Sequence, residues 1–216
     1  MKISNRLKLI GDFVKNDTKV IDVGADHGLL EKYLIDVRNI KYIQAVENKL
    51  APYESLKKNL LGYDVDFTYG DGLSLISDEV DTVVIAGMGG YLIKDILLKN
   101  PSKLKNIKQI VVDAHSDIDV VRRVVTSLNY MIEKEKIVFE NDIYYFVISF
   151  IKGSASYTDD EYEFGYMINK DPLFKEYQEK ELARLGKNLI MQKRAKIIKS
   201  EEIKKLEDKI ERLAKL

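Results

Sequence analysis

The 216-residue chain contains no cysteine, which excludes disulfides, thiolate nucleophiles and cysteine-ligated zinc. Histidine is almost as scarce: His27 and His115 are the only two, too few for a histidine-rich centre, and no metal ligand is assigned. No apolar run reaches the length that crosses a bilayer. The opening residues Met1-Lys-Ile-Ser-Asn-Arg-Leu-Lys8 interrupt their apolar positions with charge, unlike a secretory signal or a transit peptide. A cytoplasmic chain with no membrane partner and no obligate protein partner is the expectation. An excess of charge is also missing. The 35 basic and 35 acidic residues cancel, which argues against indiscriminate binding to polyanions. Nucleic-acid binding would need local segregation of charge, and one stretch has it. Between positions 180 and 199, Lys180, Arg184, Lys187, Lys193, Arg194, Lys196 and Lys199 stand against the single acid Glu181. A solvated helix face is the commoner meaning of such a run.

The length allows one α/β domain with an appendage. Ile3, Leu7, Ile10 and Val14 fall at helical spacing and predict an amphipathic helix over 2–15. Strand-like runs follow at 19–23, 40–46, 65–69, 81–86 and 109–113, with helices predicted between them at 29–36, 52–61 and 91–98. That alternation implies a parallel sheet with crossover helices. Then the pattern changes. A helix over 116–128 is followed by two long strands, 131–139 and 143–152, separated only by Glu140-Asn-Asp142, a hairpin turn. A hairpin cannot join parallel neighbours, so one of these strands runs antiparallel to the sheet. Five parallel strands closed by an antiparallel hairpin is the layout of the class I, Rossmann-like methyltransferase fold; dehydrogenase domains usually stay parallel throughout. Beyond Gly153-Ser-Ala-Ser156 helix starts are predicted at Asp171-Pro172 and Ser200-Glu201-Glu202. Ile203, Leu206, Ile210 and Leu213 form a coiled-coil seam, and Leu182, Leu185, Leu189 and Ile197 its mate, across a break near Lys199. The chain thus divides into a cofactor-binding catalytic domain, 1–155, and a helical coiled-coil domain, 156–216. The second either stabilises or dimerises the fold, or serves as a substrate-binding arm.

The stretch Val20-Ile-Asp-Val-Gly-Ala-Asp-His-Gly28 runs a β-branched strand into a glycine turn bearing carboxylates. A pyrophosphate-binding turn reads G-x-G-x-x-G and keeps acids away from the anion. Here Asp26 lies between Gly24 and Gly28, which suits an adenosine-bearing ligand with a sulfonium or amine and no phosphate. S-adenosylmethionine is the common cofactor of that description. An acid ending the second strand should take the ribose hydroxyls, and Glu47, followed by Asn48, stands 25 residues after Asp22. Gly70-Asp71-Gly72 supplies an acceptor for the adenine amine in a turn that lets backbone approach the ring. Arg6 is a partner for the methionyl carboxylate. After the fourth strand, Ala86 leads into Gly87, Met88, Gly89 and Gly90, which offer backbone groups on the side where the base must sit. Amino-methylating enzymes often place Asn or Asp, Pro-Pro and an aromatic residue there. Their absence points to a ring nitrogen such as adenine N1, whose lone pair attacks without prior deprotonation. Asp26 would steady the cationic base or the sulfonium, and His27 would be a donor or weak base unless it packs under the turn. The alternatives are a class I methyltransferase acting on a small molecule or another RNA site, a non-enzymatic tRNA-binding or dimerisation module whose cleft has decayed, and, disfavoured by the acidic turn and the hairpin, a nicotinamide-dependent oxidoreductase.

Asp22-Val-Gly-Ala-Asp-His-Gly28, Tyr69-Gly-Asp-Gly-Leu73 and Val84-Ile-Ala-Gly-Met-Gly-Gly90, with Ile3-Ser-Asn-Arg-Leu7, closely resemble the bacterial tRNA (adenine(22)-N1)-methyltransferase family, over the full length of the chain. The resemblance implies transfer of a methyl group from S-adenosylmethionine to N1 of adenosine 22 in tRNA. It places the cofactor turn on Asp22, Gly24, Asp26 and His27, the ribose acid on Glu47, the adenine acid on Asp71 and the base-side loop on Gly87 to Gly90. The chain departs from the family at one place. Where the family commonly reads Gln-Pro-Asn and later an arginine, this chain has Asp113-Ala114-His115 and Arg122. The target base sits within folded tRNA, so extrusion at an unstacking cost is expected. Arg122 and the basic helix, from Lys180 to Lys196, would grip phosphates and make affinity salt-dependent.

Overall fold

The fold is described from a computed structural model covering residues 3–195 and 199–216. Helix α1 (Asn5–Phe13) starts where the Ser4 hydroxyl accepts the Leu7 N–H, satisfying an amide that the first turn leaves orphaned. The cap makes the helix shorter than the 2–15 expected, and at Val14 the backbone is already extended.

Seven strands, β1 (Lys19–Val23), β2 (Tyr42–Glu47), β3 (Asp66–Tyr69), β4 (Thr82–Gly89), β5 (Gln109–Ser116), β6 (Tyr130–Glu140) and β7 (Ile143–Lys152), form one sheet in the order β3-β2-β1-β4-β5-β7-β6. The first five are mutually parallel, and β7 enters antiparallel between β5 and β6. The antiparallel member of the hairpin is therefore β7. The turn is tighter than expected: only Asn141 and Asp142 lie outside the strands, with φ of 51° and 61°. Two left-handed residues give the twist that matches a hairpin's own.

Helices α2 (Leu29–Asp36), α3 (Leu50–Asn59), α4 (Gly90–Lys99) and α5 (Ile118–Ser127) complete the crossovers. Along the strands, side chains alternate between two cores. Val20, Val84, Val111 and Val147 join Ile10 and Phe13 of α1 and Leu30 and Leu34 of α2. Ile21, Val83, Ile85, Ile110 and Val112 join Ile93 and Leu97 of α4 and Val121 and Val125 of α5 on the other face. Because both faces are covered, these strands carry nearly continuous apolar runs, broken in β1 by Asp22. Strand β4 outlasts the expected end at position 86, because Gly87, with φ of 77°, bulges and lets pairing with β5 resume at Met88.

Three more helices follow. A capping box between Thr158 and Glu161 opens the short α6 (Asp159–Phe164), which was not anticipated. The Asp171 carboxylate accepts the Leu173 N–H at 2.9 Å and the Ile137 N–H at 3.1 Å, fastening β6 to the turn that leads into α7 (Phe174–Lys193). Helix α8 (Ser200–Ala214) returns antiparallel to α7: Gln178 Nε2 donates to the Leu213 carbonyl at 2.7 Å, and Lys193 pairs with Glu207 at 2.5 Å. Leu182, Leu185, Leu206, Ile210 and Leu213 form the seam and meet Phe164 of α6. Ile197, expected in the seam, lies outside the described residues. At its root the helical region is welded to the sheet, since Ile168 and Phe174 pack with Ile137 and Phe146 of the hairpin.

Candidate active site

The parallel register aligns the carboxyl ends of β1 to β4 along one edge: Val23 pairs with Val46 and Ile85, and Glu47 with Tyr69. After β1 the chain turns back through three left-handed residues, Gly24, Asp26 and Gly28, with φ of 83°, 45° and 75°. The Gly24 N–H donates to the Val46 carbonyl at 2.8 Å, tying the turn to β2. A Cβ on Gly24 would meet only the mobile end of the Met88 side chain, so it is the φ of 83° that favours glycine there.

The turn opens onto a cleft of about 470 Å³, within the span of small-molecule sites. Arg6, Asp22, Gly24, Asp26, Glu47, Asn48, Gly70, Asp71, Gly72, Ala86 and Gly87 line it, together with His27 and Met88 and the apolar Leu30, Pro52, Leu92 and Ile96. Glu47 is buried, and its Oε1 accepts the Lys49 N–H at 2.8 Å, which fixes the carboxylate at the end of β2. Asp71 is half exposed and pairs with Lys99 of α4 at 2.5 Å, a hydrogen bond that holds its carboxyl below the usual range. Asp26 and His27 stand at the mouth, 3.6 Å apart and well exposed, so His27 is not packed under the turn. Arg6 is bonded to Asp113 and lies 5.0 Å over the Tyr145 ring, so much of its charge is already answered inside the protein.

Beneath the turn lies a group that sequence reasoning missed. Glu31 of α2 is fully buried beside Asp22, and neither of its carboxylate oxygens has a hydrogen-bond partner. Burial pushes Asp22 up to about 7 and Glu31 well above its ordinary value, with Asp22's charge adding to the latter. A proton held by the pair relieves both the desolvation and the repulsion. The available signal was the placement of Glu31 among Leu30, Tyr33 and Leu34 on the buried stripe of α2.

Several expected site residues stand elsewhere. Gly89 and Gly90 are absent from the cleft lining; a Cβ on Gly90 would collide with the Asp117 carbonyl, so this glycine lets α4 close on the turn after β5. Arg122, expected at tRNA, is buried. Its guanidinium bonds Glu135 of β6, equally buried, and the Tyr162 and Glu163 carbonyls of α6 at 2.7 and 3.3 Å. It clamps α5, β6 and α6 together and presents no surface to RNA. It lies one helical turn from Ile118 and from Val125, on the core-facing stripe of α5. The basic helix is also largely self-paired: Lys180 with Glu176 at 3.0 Å, Arg184 with Glu181 at 2.6 Å and Lys193 with Glu207. Among the described residues, Lys187 and Arg194 make no ion pair, and Lys196 lies outside them.

A family model described as a methyltransferase domain matches residues 3–148, the segment that builds the sheet and the cleft. The chain belongs to the methyltransferase domain family. The tRNA (adenine(22)-N(1))-methyltransferase of Bacillus subtilis is 29% identical to this methyltransferase over 155 residues, covering 68% of the chain and 64% of that relative. Streptococcus pneumoniae Sp1610 superposes with a TM-score of 0.91 at 28% identity, covering 99% of both chains, and its complex with S-adenosyl-L-methionine gives 0.83. M. capricolum TrmK in complex with S-adenosyl-homocysteine superposes with a TM-score of 0.86 at 25% identity, covering 100% of this chain and 97% of that one. Among the described residues no helix is long and apolar enough to cross a membrane.

Proposed function

We propose that this methyltransferase moves the methyl group of S-adenosyl-L-methionine to N1 of adenosine 22 in tRNA. The observation that carries this reading is the cleft, where Asp22, Glu47 and Asp71 from three successive strand ends meet Gly87 and Met88. Four acids line it against two bases, Arg6 and Lys49; Arg6 is bonded to Asp113 and Asp71 to Lys99, so Glu47 and Asp26 carry the excess of negative charge. Such a lining repels a diphosphate and favours a cationic nucleoside. The likeness to a B. subtilis enzyme of that activity and to a structure holding S-adenosyl-L-methionine supports the same substrates.

Glu47 would accept from the ribose hydroxyls, Asp71 from the adenine amine, and Asp22 with Asp26 would face the positive methionyl end, where Arg6 has donors left for the carboxylate. The cofactor, when bound, supplies an electrophilic methyl on a sulfonium. On the acceptor side Gly87, in its bulge, brings no side chain of its own to the cleft. Adenine N1 carries its own lone pair, so no residue has to remove a proton before attack. As the N–C bond formed, the S–C bond would break and the neutral thioether leave, so the positive charge would pass to the ring, where the exposed Asp26 carboxylate would offset it. Lys187, Lys193 and Arg194 on the helical arm, residues 156–216, would meet the phosphates of a cytoplasmic tRNA. The test is incubation of unmodified tRNA with labelled cofactor and mass spectrometry of the digested product. A methyl at N1 of adenosine 22 is expected; a methyl elsewhere, or none, overturns the proposal.

A further inference from the structure

Where β4 and β5 end, beside the cleft, Arg6, Asp113, His115 and Tyr145 form a cluster of which only Arg6 lines the cleft itself. Asp113 is fully buried; one carboxylate oxygen bonds Arg6 and the other has no partner. The His115 ring packs on Tyr145 with centroids 5.3 Å apart, and Arg6 covers the same tyrosine. His115 also stands against Gly87, where a Cβ would lie 3.9 Å from its Cε1. Arg6 Nη1 approaches His115 Nε2 to 3.3 Å.

These contacts determine what the imidazole offers. Nε2 also lies 3.7 Å from the Asp113 carboxylate, beyond hydrogen-bond reach, whereas a guanidinium has donors only, so the Nε2 facing Arg6 is the accepting nitrogen and the ring proton of the neutral imidazole falls on Nδ1. Arg6 is itself held by the buried carboxylate and the tyrosine face, and cannot turn away without stranding Asp113. The side chain, 43% exposed beside the Gly87 bulge though outside the cleft's lining, therefore has one N–H left to offer a base that enters beside Gly87. An adenine methylated at N1 must keep that nitrogen bare. Its Hoogsteen edge still carries an acceptor at N7.

We propose that His115 reads the target base by donating from Nδ1 to adenine N7, with Arg6 and Asp113 as positioning residues that set its tautomer. The assignment deepens the tRNA-adenine reading above and rests on it. The bond leaves N1 unobstructed, fixes the rotation of the extruded base, and is made to a purine whose selection over guanine falls to N1, since guanine N1 carries a proton.

The test compares wild type, His115→Ala and His115→Asn on tRNA carrying adenosine or 7-deazaadenosine at position 22, reading kcat, KM and, separately, cofactor affinity. Removing one such donor is expected to lower kcat/KM roughly tenfold or more. Wild type should lose that much on 7-deazaadenosine, and His115→Ala should lose it on adenosine with no further loss on the analogue. His115→Asn, which keeps an N–H donor, should retain most of the activity and the sensitivity to the analogue, and cofactor affinity should stay unchanged throughout. Equal sensitivity of His115→Ala and wild type to the analogue, or indifference of wild type, overturns the role of His115 alone. A wild type that methylates neither tRNA overturns the underlying reading as well.

Discussion

Replacing Arg122 by Met separates a structural clamp from an RNA contact. Both partners of the Arg122–Glu135 pair are buried, with 1% and 0% of their side chains exposed. In Arg122→Met the Glu135 carboxylate keeps only the Tyr166 N–H, at 3.3 Å, and the Tyr162 and Glu163 carbonyls lose their donors. Breaking a buried pair from one side costs about 3–5 kcal/mol. A chain of this length loses about 2–4 °C of melting temperature per kcal/mol, so a fall of roughly 6–20 °C is expected by circular dichroism. Adding Glu135→Leu should recover much of it, because no buried charge then remains. The pH dependence follows from the same pair. Burial raises Glu135 above its ordinary 4.5 and Arg122 opposes that rise, so the variant's carboxyl is raised further and binds a proton on folding. Its deficit should therefore be largest at high pH and shrink as pH falls toward 4.5. An unchanged melting temperature with tRNA affinity reduced about tenfold would refute the clamp and return Arg122 to the RNA surface.

The buried Asp22–Glu31 pair holds a proton that the unfolded chain releases, so wild-type stability should fall as pH rises from 3.8 toward about 7. In Glu31→Gln that slope should flatten, leaving the variant the more stable at about pH 8 in thermal melts; parallel profiles for the two proteins would remove that proton. Gly90→Ala, which drives a Cβ into the Asp117 carbonyl, should cost about 1–3 kcal/mol while cofactor affinity holds, and a normal melt with lost activity would instead put Gly90 at the base. Lys187→Ala with Arg194→Ala should flatten the slope of log affinity for tRNA against log salt by roughly two; an unaltered slope would mean that α7 meets no phosphate.

Position and type of the strands were legible because both sheet faces are covered, so Val83 to Ile85 and Ile110 to Val112 read as apolar runs, while Asn141-Asp142 marks its own turn. The insertion of β7 between β5 and β6 depends on pairings across the chain, which local pattern does not carry. Asp22, Glu47 and Asp71 were visible as acids ending strands, and all three reach the cleft. What stayed hidden was the fate of charge inside the fold. Glu31, Arg122 and Asp113 read as polar positions, yet each is buried, because its neighbours at helical or strand spacing are core residues. The partners that make this tolerable, such as Glu135 for Arg122 and Arg6 for Asp113, lie far away in sequence. Lys99 pairs with Asp71 from α4 for the same reason, beyond the reach of any motif.

Calorimetric titration of the protein with S-adenosyl-L-methionine and, in parallel, with NAD tests the acid-lined cleft most directly. Saturable binding of the sulfonium nucleoside, lost or weakened at least about tenfold in Glu47→Ala, with no heat from NAD, is the predicted result. Tight binding of NAD, or indifference of S-adenosyl-L-methionine binding to Glu47, would contradict it.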